Sequence, residues 1–256
     1  MDIEMSEASS AVSRLGLGCF KFGRNFGVKY PCGDGYELPC FDNICHILEQ
    51  ASKLGINLLD LAPSYGNAEQ VIGKALAETN LGSEFKISSK FGEFCNGSEL
   101  YYSNNIDNLT RSFFTSLKRL NREKLDYLFL HHDKLFNDDV FALMLDLKSN
   151  GFVDNIGVSV TTPQAALRIH NHVDTLFVPY NIQYRDFESF LKVARKGSVF
   201  IKKPLSSGFI SEPDKIRENF LQLLSFESVK SCIFSTTKVE NMKVNVSSIQ
   251  HCLQNV

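Results

Sequence analysis

The stretch GINLLDLAPSYGNAEQVIGKAL, residues 55–76, decides the fold because its pattern changes twice within a short span. A short apolar run carries Asp60 in its middle and stops at Pro63. Tyr65 and Gly66 follow, and the remainder has apolar residues at the spacing of an amphipathic helix. A buried strand, a loop and a helix in this order form one βα unit, the repeating element of parallel α/β folds.

The same unit recurs along the whole chain. Eight apolar, β-rich runs predict strands at 13–20, 56–62, 85–91, 126–131, 155–160, 175–180, 198–203 and 231–236. Amphipathic segments predict helices at 41–54, 67–78, 108–120, 138–150, 162–169, 188–196, 215–224 and 239–249. Eight βα units without a linker predict an α/β protein, a (β/α)8 or TIM barrel that forms a single domain over residues 1–256. Residues 1–12 are expected to be a flexible tail.

Start and stop signals support these helix boundaries. Helix N-caps are usually Ser, Thr, Asp or Asn, and a glycine often follows the last turn. The predicted N-caps are Asp42, Asn67 and Thr162, and the glycines just past helix ends are Gly55, Gly151 and Gly197.

Composition excludes several classes of protein. A net charge of −2 and a pI of about 6.3 give no electrostatic attraction to nucleic acid or anionic lipid. The N-terminal MDIEMSEASS has no apolar segment of a signal peptide, and no apolar run is long enough to span a bilayer. Seven cysteines without a CxxC motif indicate free thiols, so a cytoplasmic location and no metal are expected.

Polar residues stand where the predicted strands end, which is where (β/α)8 barrels carry their active sites. Asp60 and Tyr65 follow the second strand, Lys90 ends the third and His131 ends the fourth. A phenol has a pKa near 10, and a nearby cation lowers it. We therefore expect Lys90, held protonated by Asp60, to lower the pKa of Tyr65. His131 would donate a hydrogen bond to a substrate oxygen or relay a proton. A phenol acid of this kind suits reduction of a carbonyl group by an external hydride.

From Leu15 to about Asn245 the sequence resembles the aldo-keto reductase family. LGLGCFKFG resembles its first strand, the quoted stretch its Asp and Tyr signature, KISSK its lysine and LDYLFLH its histidine. The resemblance implies that Asp60, Tyr65, Lys90 and His131 are catalytic. His132 stands where the family has another residue type, and strand alternation predicts that it points the other way.

The resemblance also implies a nicotinamide cofactor, NADPH by default with NADH as the alternative. The family binds it extended across the barrel mouth without a Rossmann fold. In agreement, GLGCFKFG lacks the third glycine of a dinucleotide fingerprint. The positions implied to contact the cofactor are Gly18, Cys19, Phe20, Asp60, Ser159, Phe177, Lys202, Leu205, Ser207, Ser235, Thr236, Asn241 and Asn245.

Some of these positions depart from the family pattern. Val160 follows Ser159 where relatives carry Asn, and Phe177 aligns with a Gln that contacts the nicotinamide amide. Lys202 aligns with a ring that stacks on the nicotinamide. Its charge is expected to contact the cofactor pyrophosphate instead.

The positions that distinguish NADPH from NADH also differ. Ser235 and Asn241 stand where NADPH-preferring relatives often place basic residues for the 2′-phosphate. Lys238 and Lys243 are close enough in sequence to take over this contact.

The substrate pocket is expected to be shaped by two loops, residues 21–40 and 92–105. The chain ends about ten residues after the core of the last helix, so no long C-terminal loop is expected over the pocket. The Tyr and Phe content of both loops suits a flat or sugar-like small carbonyl compound. The expected assembly is a monomer or a small homo-oligomer.

Two other functions remain open from the residues alone. His131, His132 and Asp133 could be ligands of a metal-dependent hydrolase, although consecutive strand residues face opposite sides and chelate poorly. Alternatively, the barrel could bind a nicotinamide nucleotide as a redox sensor with little turnover.

Overall fold

The computed structural model describes residues 11–31, 33–34, 36–97 and 99–253. Eight parallel strands close into a barrel in the order β1-β4-β5-β8-β9-β10-β11-β12. The barrel strands are β1 Leu15–Gly18, β4 Leu58–Asp60, β5 Lys86–Phe91, β8 Leu125–Leu130, β9 Val153–Ser159, β10 Thr175–Pro179, β11 Val199–Lys202 and β12 Val229–Phe234. The predicted (β/α)8 barrel is confirmed, and each predicted strand overlaps one of these strands, although β8, β9 and β12 begin one or two residues earlier than predicted.

Helices alternate with the barrel strands. They are α1 Phe41–Lys53, α2 Ala68–Glu78, α3 Ile106–Leu120, α4 Asp138–Ser149, α5 Pro163–Ile169, α6 Glu188–Val193, α7 Pro213–Ser225 and α8 Val239–Leu253. The apolar face predicted for the first helix is fully buried in α1 and comprises Ile44, Ile47, Leu48 and Ala51. The helices cover the outer face of the sheet, as their 3.6-residue periodicity predicts. No helix in the described ranges is long and apolar enough to span a bilayer.

Most helix boundary signals act as predicted. The side chain of Thr162 accepts a hydrogen bond from the backbone N–H of Ala165 at 3.2 Å and caps α5. Asn67 is the N-cap of α2, but its side chain makes no capping bond. The prediction for Asp42 is wrong, because α1 begins at Phe41 and Asp42 lies inside its first turn. An acidic residue there still interacts favourably with the helix dipole.

Each glycine predicted to follow a helix has a left-handed backbone. The φ angles are 76°, 77° and 66° at Gly55, Gly151 and Gly197. Glycine adopts this conformation without steric cost, so Gly55 and Gly151 end α1 and α4 as predicted. The prediction for Gly197 is wrong, because α6 already ends at Val193 and Gly197 lies in the turn before β11.

The lower part of the barrel interior is apolar. It is filled by Leu58, Tyr127, Phe129, Phe177, Phe200 and Ile233. Gly157 provides the space for Phe129, because a Cβ at residue 157 would collide with that ring. Val12 packs against this cluster, and the side chain of Asn57 donates to the carbonyl of Ala11 at 2.8 Å. The predicted tail therefore does not extend to residue 12, and its residues 1–10 lie outside the described residues.

Two antiparallel hairpins stand outside the barrel and had no counterpart among the predicted strands. β2 Lys29–Tyr30 pairs with β3 Gly33–Asp34, and β6 Glu93–Asn96 pairs with β7 Glu99–Tyr102. Both lie in the loops expected to shape the pocket. The first of these loops follows β1, and the second follows β5 at the same end of the barrel.

Candidate active site

A cavity of about 820 Å³ opens at the carboxyl ends of the barrel strands. A volume of this size is typical of a small-molecule or cofactor site. Both pocket loops contribute to its wall, through Lys21, Arg24 and Tyr30 on one side and Glu93 and Tyr102 on the other. The four residues predicted to be catalytic, Asp60, Tyr65, Lys90 and His131, all line this cavity. These residues and both loops thus meet at the predicted end of the barrel, and the catalytic roles stay a prediction.

Lys90 and Asp60 form a buried ion pair beneath Tyr65. Lys90 Nζ lies 2.6 and 2.7 Å from the two carboxylate oxygens of Asp60, and the residues are 2% and 3% exposed. Nζ also donates to the Leu61 carbonyl at 2.9 Å and to the Tyr65 hydroxyl at 3.2 Å. Ser88 donates to Asp60 at 3.0 Å. A buried charge pair is stable only when such extra hydrogen bonds satisfy its remaining polar atoms.

The protonation of this group differs from the sequence-based prediction. Burial raises the pKa of the Tyr65 phenol well above its usual value, and the carboxylates of Asp60 and Glu93 raise it further. The prediction that Lys90 lowers this pKa is therefore wrong for the protein alone. The physical reason is that Asp60, at 2.6 Å, balances the charge of Lys90, while burial disfavours a phenolate. Tyr65 is held as a neutral phenol whose hydroxyl contacts an ammonium group.

His131 follows β8 directly and faces Tyr65, with 6.0 Å between the two ring centres. Its Nδ1 lies 3.4 Å from the Ser64 hydroxyl and 3.6 Å from a carboxylate oxygen of Glu93. Burial lowers the pKa of His131 well below its usual value, and the charges of Lys90 and Lys202 lower it further. The ring is therefore neutral near pH 7. A neutral imidazole carries one N–H and can still donate one hydrogen bond.

His132 also lines the cavity, so the prediction that it points the other way is wrong. The reason is that β8 ends at Leu130, and strand alternation does not continue beyond it. Nδ1 of His132 accepts a hydrogen bond from the backbone N–H of Lys134 at 3.1 Å. Asp133 accepts two hydrogen bonds from Thr161, each at 2.9 Å. In the described ranges no three His, Cys, Asp or Glu side chains converge as metal ligands, so geometry gives the hydrolase alternative no support.

Twelve of the thirteen positions implied to contact a cofactor line the same cavity. They are Gly18, Phe20, Asp60, Ser159, Phe177, Lys202, Leu205, Ser207, Ser235, Thr236, Asn241 and Asn245. Cys19 is the exception. Its side chain is fully buried under the short helical turn Cys19–Phe22, and its Sγ lies 3.6 Å from the Leu17 carbonyl oxygen. Any cofactor contact at this position would have to come from its backbone.

One side of the cavity has cations that suit an anionic cofactor. After β11 the backbone is left-handed at Lys203, Ser206, Ser207 and Gly208, with φ between 50° and 95°. The backbone N–H groups of Ser206, Gly208 and Phe209 donate to carbonyls within this turn, so attraction for an anion comes from side chains. Lys202 and Lys203 line the cavity beside this turn. These side chains fit a dinucleotide that carries a pyrophosphate.

Lys202 itself is held by a neighbour. Its Nζ donates to the Ser159 hydroxyl at 2.7 Å. Burial lowers the pKa of Lys202 to about 7, with the charges of Lys203 and Lys90 adding to the effect. The residue is therefore partly protonated at neutral pH.

Lys238 and Lys243 do not lie on the wall of the main cavity. They line a second, smaller pocket together with Asn43 and His46 of α1. Asn241 donates instead to the Thr236 hydroxyl at 3.2 Å. The expectation that these lysines replace the basic residues missing at Ser235 and Asn241 therefore receives no support from the geometry.

Two buried charged residues of the cavity were missed by sequence reasoning. Arg24 and Glu93 are only 6% and 8% exposed. Their loops were expected to shape the pocket, but neither residue follows a predicted strand at the position that marked Asp60 or His131. A signal existed, because each lies within two residues of a glycine in a loop that returns over the barrel mouth.

Comparisons with known proteins agree with this geometry. A sequence model described as the Aldo/keto reductase family matches residues 29–250. An NADH-specific methylglyoxal reductase from Escherichia coli is 25% identical over 230 residues, 82% of this chain and 68% of that protein. An aldo-keto reductase from Bacillus subtilis is 27% identical over 206 residues, 76% of this chain and 58% of that protein. The chain thus spans between 58% and 68% of the length of these two curated relatives.

Solved structures show the same fold. A crystal structure of a Pseudomonas aeruginosa protein assigned to the aldo-keto reductases has a TM-score of 0.82 at 30% identity, covering 98% of this chain and 95% of that one. A Klebsiella pneumoniae aldo/keto reductase in complex with NADP and acetate has a TM-score of 0.67, covering 93% and 86%. Its 19% identity shows a shared fold only. The family match extends over most of the barrel, and the chain therefore belongs to the aldo/keto reductase family.

Proposed function

We propose that this chain is an NAD(P)H-dependent reductase that converts a small aldehyde or ketone to the alcohol. The observation that carries the proposal is the contact of 3.2 Å between Lys90 Nζ and the Tyr65 hydroxyl, with Asp60 holding Lys90 in place. A phenol held in this way can donate a proton, and the cations that line the same cavity fit a dinucleotide. Membership of the family supplies the reaction class.

A bound nicotinamide would supply the hydride. Residues of the chain itself would transfer the proton. As the carbonyl oxygen gains negative charge, Tyr65 donates its hydroxyl proton to it. A developing alkoxide is a strong base and readily accepts a proton from a neutral phenol. Lys90 then stabilises the phenolate that remains, and a nearby N–H of His131 orients the carbonyl oxygen.

The choice between NADPH and NADH is part of the proposal. The relative from E. coli is NADH-specific by name. In this chain the positions that could bind a 2′-phosphate are Ser235 and Asn241, and both are uncharged. We propose that the protein binds both NADPH and NADH. Its preference for NADPH over NADH should be far weaker than in a protein that holds the 2′-phosphate with a cluster of basic residues.

Titration with the two cofactors tests the proposal. The chain has eight Tyr and no Trp, so quenching of tyrosine emission and the emission of the bound nucleotide are both measurable. Saturable binding of either nucleotide, followed by its oxidation with a panel of aldehydes and ketones, is the expected result. Absence of binding to both would refute the cofactor assignment. Binding without turnover on any carbonyl would instead favour the redox-sensing alternative.

A further inference from the structure

The loop after β1 is pressed against the loop that carries Tyr65. Gly23 and Gly66 make this contact, because a Cβ on Gly66 would collide with the Gly23 carbonyl oxygen. A Cβ on Gly23 would collide with the Tyr65 carbonyl oxygen and with the backbone of Ala68. Gly66 has a φ of 66°, a conformation that glycine adopts without strain. The residue after Gly23 is thereby fixed next to the proposed proton donor.

That residue is Arg24. Its backbone N–H donates to the Phe20 carbonyl at 3.2 Å, and its carbonyl accepts a hydrogen bond from the Tyr36 hydroxyl. Its Nη1 donates to the Ser64 carbonyl at 2.7 Å. The guanidinium carbon lies 4.6 Å from the centre of the Phe20 ring and 5.9 Å from the centre of the Tyr65 ring. Packed between these groups, the guanidinium is fixed in orientation as well as in place.

The charge of Arg24 is not balanced within the part of the chain that the structure describes. Arg24 is 6% exposed, and among the described residues no carboxylate forms an ion pair with it. Its Nε is buried without a hydrogen-bond partner, and Nη2 donates to no described residue. Removing a charge from water without a partner is costly. Since Arg24 lines the cavity, a bound ligand can supply the missing anion.

The other charges around the cavity permit an anion at this place. Lys90 is neutralised by Asp60 at 2.6 Å. The Glu93 carboxylate lies 3.6 Å from the neutral His131 ring and hydrogen-bonds to Tyr102, and it forms no ion pair with Arg24. Lys21 is on the same loop as Arg24 and also lines the cavity, so two cations stand at this wall. Arginine presents its donors as a planar fork that matches the paired oxygens of a carboxylate or phosphate.

We propose that Arg24 binds an anionic oxygen group, a carboxylate or a phosphate, carried by the carbonyl substrate. This inference rests on the proposed function and narrows it to aldehydes or ketones that bear such a group a few bonds from the carbonyl. The carbonyl oxygen would lie at the Tyr65 hydroxyl while the anion occupies the free donor of Arg24. Arg24 is thus a specificity-determining residue.

Matched substrate pairs test the proposal. Succinic semialdehyde is compared with butanal, and glyceraldehyde 3-phosphate with glyceraldehyde, in wild type and in Arg24→Met. The wild type should prefer at least one anionic member. In Arg24→Met the ratio of kcat/KM for that anion to kcat/KM for its neutral partner should fall roughly 10- to 100-fold, the usual worth of a charged hydrogen bond. The pair that responds identifies the anion as carboxylate or phosphate.

Two further variants distinguish a direct contact between Arg24 and the anion from a general effect of positive charge near the cavity. Arg24→Lys keeps the charge without the planar fork and should recover part of the ratio. Lys21→Met removes a cation from the same loop and should lower the ratio by less than about threefold, since its ammonium lies 4.3 Å from the centre of the Tyr30 ring and acts on the anion only through a screened field. An equal loss for both members of a pair in Arg24→Met would show a structural role and overturn the proposal. Weaker nucleotide binding with an unchanged ratio would do the same by assigning Arg24 to the cofactor.

A binding measurement keeps this test independent of turnover. Succinate and inorganic phosphate are titrated by calorimetry into wild type and Arg24→Met, each saturated with oxidised nucleotide. Wild type should bind one of them, and Arg24→Met should bind it at least about tenfold more weakly. Equal affinities in both proteins would refute the anion site even if the protein reduces aldehydes. If no aldehyde were reduced while this difference persisted, the proposed reaction would fail and the anion site would stand.

Discussion

The lower part of the barrel interior is filled with aromatic and aliphatic side chains, whereas its upper part carries a buried ion pair. Below lie Phe129, Phe200 and their apolar neighbours, all nearly free of solvent contact. Above them Lys90 and Asp60 are equally buried, yet they are charged and open on one side to the cavity. Phe177 joins the two layers, because Lys90 Nζ lies 5.1 Å from the centre of its ring.

The difference shows how burial serves two purposes in one barrel. Apolar side chains gain free energy when they leave water, so the lower layer stabilises the fold. Charged groups lose solvation at the same depth and remain only if they are paired and hydrogen-bonded. The upper layer therefore contributes little net stability and instead holds Tyr65 in a defined place. Changes in the upper layer should affect chemistry, and changes in the lower layer should affect stability.

The largest expected effect comes from removing the phenol. Tyr65→Phe should lower kcat for carbonyl reduction by about 10²- to 10⁴-fold, the usual contribution of a general acid. Nucleotide affinity, measured by fluorescence titration, should stay close to that of wild type because the ring and its packing remain. A variant that retains more than a tenth of the wild-type rate would show that Tyr65 is not the proton donor. Loss of folding, seen by circular dichroism, would assign Tyr65 a structural role.

Breaking the ion pair should lower the stability of the protein even though the pair lies in the upper layer. Lys90→Met leaves Asp60 buried without its partner, which should lower the free energy of unfolding by about 3–5 kcal/mol. Urea denaturation at pH 7 measures this loss. The matched control is the double variant Lys90→Met with Asp60→Asn, which removes both charges and should recover much of the stability. If the single and double variants were equally unstable, packing of the lysine rather than its charge would be responsible.

A conservative change in the lower layer provides the contrast. Phe129→Leu should lower the free energy of unfolding by about 1–2 kcal/mol, since it removes part of a ring from a close-packed cluster. The rate per folded molecule should change far less than in Tyr65→Phe, because the Phe129 side chain does not line the cavity. Urea denaturation and kcat, determined on the same preparation, check both parts. A loss of activity comparable to that of Tyr65→Phe would contradict the division into two layers.

The smallest expected effect depends on pH. The pKa of Lys202 is lowered to about 7 in the folded protein, from its usual 10.5. Below pH 7 the folded state carries the full cost of the buried charge, and this cost disappears as the pH rises toward 10.5. Lys202→Met removes this cost. The variant should therefore exceed wild type in the free energy of unfolding by more at pH 6 than at pH 9. After allowance for solvent screening the difference should be about 1 kcal/mol.

Denaturation curves of wild type and Lys202→Met at the two pH values measure this difference. Ser159→Ala, which removes the hydrogen-bond acceptor of Lys202, is the control for loss of that bond. An equal effect of Lys202→Met at both pH values would mean that the lysine keeps an ordinary pKa.

The barrel, and the meeting of four polar residues at its mouth, could be predicted from the amino-acid sequence alone. Strand and helix periodicities are local properties of the chain, so eight βα units could be identified without knowledge of their contacts. Barrel topology then places every strand end at one mouth, which is why Asp60, Tyr65, Lys90 and His131 could be brought together in advance. The ends of α1 and α4 followed from Gly55 and Gly151 for the same local reason.

What surrounds these residues became apparent only from the packed structure. Arg24 lies beside Tyr65 because Gly23 and Gly66 allow two distant loops to touch, a contact that no local pattern encodes. The pKa of Tyr65 is raised rather than lowered because burial and the balance of charges at short range depend on the packed site. Periodicity fixes which elements form, whereas desolvation and charge pairing exist only after those elements have packed.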